Sequence, residues 1–270
     1  ATSPQSRLGP IPSMDARAVA LRMDSGPAEI VQLPASSPDD HGSDVTWTVN
    51  VGADGSGDLT GEERHFGDAA FWLRSNLKEA EARAQYVEDS LVSPWFPTID
   101  VDKNIDFKGE LQNGQALVKY KAKSRGMARR EGKDLVLPLS PAQTYGSQIA
   151  PLPTRTLPVT LPSYFAPSHQ NRTLRAIAPA GMAWGDLPPG GDANGGDFGK
   201  AHIEIAKDPK DQRALIVKRS IDRRPDRRTV TMPSAGENGE STRISAVSPG
   251  WYSFLSVTSC ACAPLSSRSW

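Results

Sequence analysis

Cysteine is almost missing from this chain of 270 residues: Cys260 and Cys262, both near the C-terminus, are the only two. They cannot staple the body of a fold, and without further ligands at tetrahedral spacing they make at most half a metal site. No apolar run approaches the ~20 residues that a membrane-spanning helix requires, so no membrane segment is expected. An excess of one charge is also lacking, with Lys+Arg and Asp+Glu balanced at 31 each. No net field therefore recruits nucleic acid or an acidic lipid surface. Hydrophobic content is 37% and mean hydropathy −0.46, low values for a chain packed along its whole length. The opening ATSPQSRLGPIP has neither the basic start nor the apolar centre of a secretion signal, and no initiator methionine. It reads as a processed product or as a piece of something longer.

Glycine and proline are plentiful, at 23 each, which favours a turn-rich, mainly β protein. Residues 1–43 read as a linker or exit segment, with two short strands on either side of Ser25, Gly26 and Pro27. From Asp44 the pattern becomes strict alternation: Val45, Trp47, Val49 and Val51 share one face of a half-buried strand. Asp54-Gly55 is a strong hairpin turn, with the return strand running through Leu59 toward His65. A second hairpin sets Ile99, Val101, Ile105 and Phe107 against Leu117 and Tyr120, around Gln112-Asn113-Gly114. Further strands are expected at 135–139, 173–179, 199–208 and 213–221, with a proline-tolerant edge strand near Val159. Roughly nine short strands with one helix predict a β-sandwich-like domain over 44–221.

The helix is the one unmistakable periodic element. Ala70, Leu73, Leu77, Ala80, Ala84, Val87 and Leu91 alternate spacings of three and four, which predicts one amphipathic helix over about 68–92, inserted between the hairpins. Asp68 is placed to cap its first amides, Glu79 and Arg83 to pair four apart, and Ser93-Pro94 to end it. After Ile221 the sequence turns polar and aperiodic, so 222–270 is expected to be a disordered or out-of-frame tail. An interruption of the reading frame after Ser220 or Ile221 would explain the change.

Asp54, Ser56 and Asp58 imitate the start of a calcium loop, but Leu59 occupies the glycine position and His65 the final glutamate, so a hairpin turn is preferred. Asp100, Asp102, Asn104 and Asp106 alternate along a strand and read as its solvated face. The glycine-rich run 185–199 lacks the lysine and helix of a phosphate loop and reads as a flexible connection. The basic run 223–228 reads as a solvated charge cluster. His41, His65, His169 and His202 are isolated, with His41 and His169 in loop-like sequence and the others on strands. A nucleophile system would have to draft a tail cysteine. No catalytic, cofactor or metal residue is therefore assigned. Trp47, Trp72, Trp95 and Trp184 are candidate contact residues if exposed, with a place in the core preferred for each.

Read together, residues 8 to 221 resemble the β-rich region that follows the catalytic core in large bacterial transglutaminase-like proteins, members of the papain-like superfamily. The similarity runs through the exit segment Leu8-Gly9-Pro10-Ile11-Pro12, the strand pair from Val45 to Leu59, and a helix start at Gly67, Ala70 and Arg74. It continues with Arg155, Pro158 and Val159, then Pro179-Ala180-Gly181, Leu187-Pro188 and Phe198-Gly199. The resemblance implies a non-catalytic accessory domain, with the catalytic cysteine, histidine and aspartate lying before Ala1. Its partner would be that catalytic core or a protein substrate. A stand-alone peptide- or glycan-binding β module, or a decayed fragment without function, are the alternatives.

Overall fold

The computed structural model describes residues 11–23, 26–96, 98–110, 114–139, 159–160, 167–194, 199–224, 229–230 and 260–264. The chain opens with an antiparallel hairpin of β1 (Val19–Arg22) and β2 (Glu29–Gln32), at the two strands expected around Gly26. A single turn of 3-10 helix, Pro38–Asp40, leads into β3 (Gly42–Val51) and β4 (Gly57–Phe66). Strand β3 thus begins two residues before the expected domain start at Asp44. The helical layer follows as α1 (Gly67–Asn76) and α2 (Arg83–Tyr86), the latter between a 3-10 turn, Ala80–Ala82, and a π turn, Val87–Val92. Next come β5 (Ile99–Val101), β6 (Asp106–Lys108), β7 (Ala116–Ser124), β8 (Arg129–Glu131), β9 (Asp134–Leu137) and β10 (Val159–Thr160). The remaining strands are β11 (Ser168–Ile177), β12 (Met182–Trp184), β13 (Gly191–Asn194), β14 (Gly199–Asp208), β15 (Asp211–Arg223), β16 (Thr229–Val230) and β17 (Cys260–Pro264).

Nine strands form one large sheet in the order β13-β14-β15-β11-β3-β4-β7-β5, with β6 also paired to β7. Every pairing is antiparallel except the junction of β3 with β11. A second sheet runs β12-β17-β9-β8, and β10 pairs with β16. The large sheet is sided in the way its alternation dictates. Val45, Trp47, Val49 and Val51 of β3 point inward, joined by Leu59 of β4, Val118 and Tyr120 of β7, Leu174 of β11 and Val217 of β15. The opposite face carries polar side chains, including the ion pairs Lys119–Glu62 and Lys218–Glu204. The inner face packs under the helical layer and against the smaller sheet, whose Leu135, Leu137 and Trp184 join the same core. The protein is mainly β and sandwich-like.

The helical stretch falls where its periodicity places it but is not one helix. It breaks after Asn76, because Leu77 turns wholly into the core while Lys78, Glu79 and Ala80 turn to solvent. Arg83 Nε donates to the Leu77 carbonyl at 2.7 Å, satisfying an acceptor that the break releases. That bond takes the place of the expected Glu79–Arg83 pair; Glu79 instead meets Lys78 at 3.3 Å. Ala80 leaves the buried stripe for the same reason, whereas Ala70, Leu73, Leu77 and Val87 keep it. The stretch ends at Ser93 as expected, with Ser93 N–H donating to the Glu88 carbonyl.

Asp68 does not cap α1. The residue preceding the first turn is Phe66, and the Asp68 amide donates to His41 Nδ1 at 3.0 Å. The Asp68 carboxylate accepts instead from the Ser13 amide at 3.0 Å, which fastens the segment before β1 to the helix. His41, in the bend between the 3-10 turn and β3 as its loop-like sequence suggests, is therefore a buried capping group. Gly67 permits this contact. Its φ is +55°, and a Cβ there would sit 2.2 Å from the Asp40 carbonyl oxygen and 2.3 Å from His41 Nδ1.

One further expectation changes. The glycine-rich run 185–199 is not simply a connection, since it contains β13, paired with β14 from Gly191↔Ile203 to Asn194↔Lys200. Strand β15 passes through Ser220 and Ile221 without a break, in register with β11 and β14 as far as Arg223. Of residues 222–270, Thr229–Val230 and Cys260–Pro264 are strands, while 225–228 (most of the basic run), 231–259 and 265–270 lie outside the described residues. Leu8, Arg155, Pro158, Phe198, Gln112 and Asn113 also lie outside them.

Replacing Gly67 with alanine combines left-handed strain with a backbone clash, so Gly67→Ala is expected to destabilise the fold by about 2 kcal/mol or more. Urea denaturation reads this as a lower midpoint at unchanged slope, and an unchanged midpoint would remove His41 capping from the account.

Candidate functional site

The inner face of the large sheet carries charge where an apolar floor would be ordinary. Continuing the inward alternation of β4 past Leu59 brings Gly61 and then Glu63 into the core. The same continuation on β11, backward from Ala176 and Leu174, brings in Arg172. On β15, forward from Leu215 and Val217, it brings in Arg219. Strand register aligns them in one row: Glu63 opposite Val45, Val45 beside Arg172, and Arg172 opposite Arg219.

A relay of hydrogen bonds holds the acidic end. Trp47 Nε1 donates to the Tyr120 hydroxyl oxygen at 2.8 Å, and the Tyr120 hydroxyl donates to Glu63 Oε1 at 2.5 Å. Glu63 Oε2 lies 3.1 Å from His65 Nε2. Gly61 makes room for the relay: a Cβ on it would fall 2.4 Å from Tyr120 Cζ, so the tyrosine ring lies directly over the glycine. Burial alone would raise the Glu63 carboxyl, but the His65 hydrogen bond and charge, the Arg172 charge and the Tyr120 hydroxyl together hold it below the ordinary glutamate value. Burial, then the charge and hydrogen bond of Glu63, push the Tyr120 phenol well up, which keeps it a proton donor in this relay.

The basic end is held by aromatic rings. The Arg172 guanidinium lies 4.4 Å from the Trp47 ring centroid and 3.9 Å from that of Trp95, in the angle between two rings set at 84°. Such stacking suits a planar, weakly hydrated guanidinium. Arg219 lies 5.5 Å from the Trp95 centroid. Among the described residues neither guanidinium forms a hydrogen bond or a close ion pair, and Arg172 Nε is covered without an acceptor. Burial lowers Arg172 to about 10, against the opposing pull of Glu63 and Tyr120. Burial and then the charge of Arg172 lower Arg219 to about 10. Both side chains stay half-buried, at the side of the core where helical cover ends with Trp95 and Phe96.

A second feature lies on the surface. Cross-strand pairing puts Val19, Leu21 and Ile30 on one face of the β1–β2 hairpin. They are exposed at 73%, 58% and 76%, with Met23 beside them at 79%. Trp72 is also exposed, one helical turn beyond Asp68, the residue that fastens Ser13.

The other sequence candidates resolve individually. Asp54 is a turn residue whose carboxylate accepts from the Ser56 amide and hydroxyl, and these bonds hold it below the ordinary aspartate value. Asp100, Asp102, Asn104 and Asp106 are all exposed, with Asp102 accepting from the Asn104 amide. His169 is on β11 and not in a loop, where it meets Asp222; His202, on β14, meets Asp192 at 2.8 Å. Among the described residues, no three histidine, cysteine, aspartate or glutamate side chains group as metal ligands. Of the candidate tryptophans, Trp47 and Trp184 are buried, Trp95 holds the arginines, and Trp72 alone is open. Arg172, Arg219 and Glu63 are the residues that sequence reading missed. The signal was there in the parity, since each extends an inward series of apolar positions.

No family model and no curated protein matches the chain. Among solved structures, AChBP from Bulinus truncatus is similar at 9% identity and a TM-score of 0.17, over 70% of this chain and 90% of that one. Among the described residues, no helix is long and apolar enough to cross a membrane.

Glu63 has a depressed carboxyl, so its contribution to stability is present above the unfolded-state value and is lost as pH falls through the lower folded-state value. The wild-type protein is expected to lose stability through this acid range. Glu63→Gln should flatten that part of the profile and cost about 1–3 kcal/mol at neutral pH, where the relay loses its charged acceptor. Thermal melts between acid and neutral pH check both; an unaltered acid limb would show that Glu63 does not carry it.

Proposed function

We propose that this chain is a non-catalytic β module that docks onto another protein, the accessory role implied by its resemblance to the β-rich region of transglutaminase-like proteins. The observation that carries the reading is the apolar face of the β1–β2 hairpin, where Val19, Leu21 and Ile30 stand open together. Isolated exposed apolar residues are ordinary, but a side-by-side set on one hairpin face is what a protein partner covers. The occupant that fits is a transglutaminase-like catalytic core. In this sequence the hairpin, starting at Val19, comes soon after Pro12, where the exit segment of the resemblance ends, so a core preceding that segment would be tethered close to this face. Trp72 of α1 is also open, and aromatic residues at a partner-facing surface contribute disproportionately to binding. The buried relay of Trp47, Tyr120 and Glu63 serves the scaffold in this reading and not a reaction.

The test pairs the purified chain with a recombinant transglutaminase-like catalytic core and measures association by calorimetry. Leu21→Glu and Ile30→Glu are expected to weaken association at least about tenfold while melting like the wild type, because neither side chain is in the core. Equal affinity of wild type and both variants would overturn the docking face. Amide transfer or peptidase activity in the isolated chain, surviving replacement of both Cys260 and Cys262, would overturn the non-catalytic reading.

A further inference from the structure

We propose that Arg172 and Arg219 form a binding site for an aliphatic carboxylate on the inner face of the large sheet, beside Trp95. This site is separate from the hairpin surface and does not depend on the docking role.

Three observations carry it. First, two guanidiniums are neighbours across the β11–β15 pairing, and among the described residues neither is given an oxygen to bind. A fold that only needed arginine for packing would satisfy the donors it covers. Arg172 Nε is covered and left without one. Second, charge is unbalanced. Two guanidiniums face one carboxylate, Glu63, whose oxygens are already engaged by Tyr120 and His65. At least one positive charge is left over, and a monoanion matches it. Third, the side chains are pre-positioned. Arg172 is held against Trp47 and Trp95, and Arg219 lies beside Trp95, so little rotamer freedom is lost when a planar oxyanion meets their forks.

The neighbours choose the rest of the ligand. Ile203 lies opposite Arg219 across β14, and Ile221 follows Arg219 on the same face of β15. Gln170 is Ile221's partner on β11. Ile203 is covered by the core, so the carboxylate would sit between the guanidiniums with its hydrocarbon chain against the half-buried Ile221. A phosphate or sulfate would use the same forks but would gain nothing from that isoleucine.

Titration of the full chain with butyrate, sulfate and inorganic phosphate at matched ionic strength tests the site, followed through the arginine Nε–Hε resonances. Butyrate is expected to shift Arg172 and Arg219 and to bind more tightly than either inorganic anion. Arg219→Gln should weaken butyrate at least about tenfold while melting like the wild type, since Arg219 makes a single ring contact. Arg219→Lys, which keeps the charge and loses the fork, should also weaken it. Absence of any shift with butyrate, unchanged affinity in Arg219→Gln, or tighter binding of sulfate or phosphate would each overturn the proposal. Leu21→Glu should bind butyrate like the wild type, which separates this outcome from that of the docking test.

Discussion

Trp47 is completely enclosed, yet its indole N–H must find an acceptor, and the solution to that demand orders the centre of the fold. Tyr120 accepts from it and passes its own hydrogen to Glu63, so one relay ties together β3, β7 and β4. A one-residue slip of any of these strands would turn its member of the relay to the solvent face. Register is thus specified by polar groups as well as by apolar burial. The relay ends in a buried carboxylate, which would be costly by itself. The field of Arg172 on β11 offsets part of that cost. Arg172 is in turn held by Trp95 at the end of the helical layer. The enclosed indole, the sheet register and the seating of the helices are one connected constraint.

That constraint explains why the inner face can be charged at one side and apolar at the other. Over β3, β4 and β7 the helical layer and the smaller sheet bury Val49, Leu59, Leu73 and Leu135, where dispersion and area burial suffice. Over β11 and β15 the helical cover thins at Trp95 and Phe96. Half-exposure there lets the guanidiniums keep part of their hydration, so the cost of burying them is well below that of a fully enclosed ion. The aromatic rings shield the remainder.

Fold class and strand positions were legible because alternation is a local signal: Val45 to Val51 reads correctly without knowing what it packs against. The helical stretch was legible in its buried stripe but not in its break, since that depends on Leu77 finding space in the core and on Arg83 reaching its carbonyl. Capping by His41 was illegible for the same reason; its partner amide is 27 residues away. The arginine-glutamate cluster lies between these cases. Its inward parity could be read from Leu215, Val217 and Arg219 alone. Taking β11 to begin at Thr173 left Arg172 outside the strand, and the arginines near the end of β15 looked like a change of character. In the structure Arg219 is a regular inward position of a strand that continues to Arg223.

The single parallel junction, β3 with β11, is what assembles this cluster. Parallel neighbours cannot be joined by a tight turn, so the chain must leave the end of β3 and return to its beginning before β11 can pair. The intervening chain includes β4, the helical layer, β5 to β7 and the β8–β9 hairpin, which are the elements that extend and cover the inner face. Crossover and cover are therefore the same segment. When β11 arrives it places Arg172 beside Val45, and β15, turning back from β14 to pair antiparallel with β11, places Arg219 beside Arg172. Trp95, part of the cover, already stands over that position. The charged row thus joins pieces from the first strand of the sheet, from the crossover and from the closing strands. Only the completed topology brings two arginines, one carboxylate and two indoles to one place.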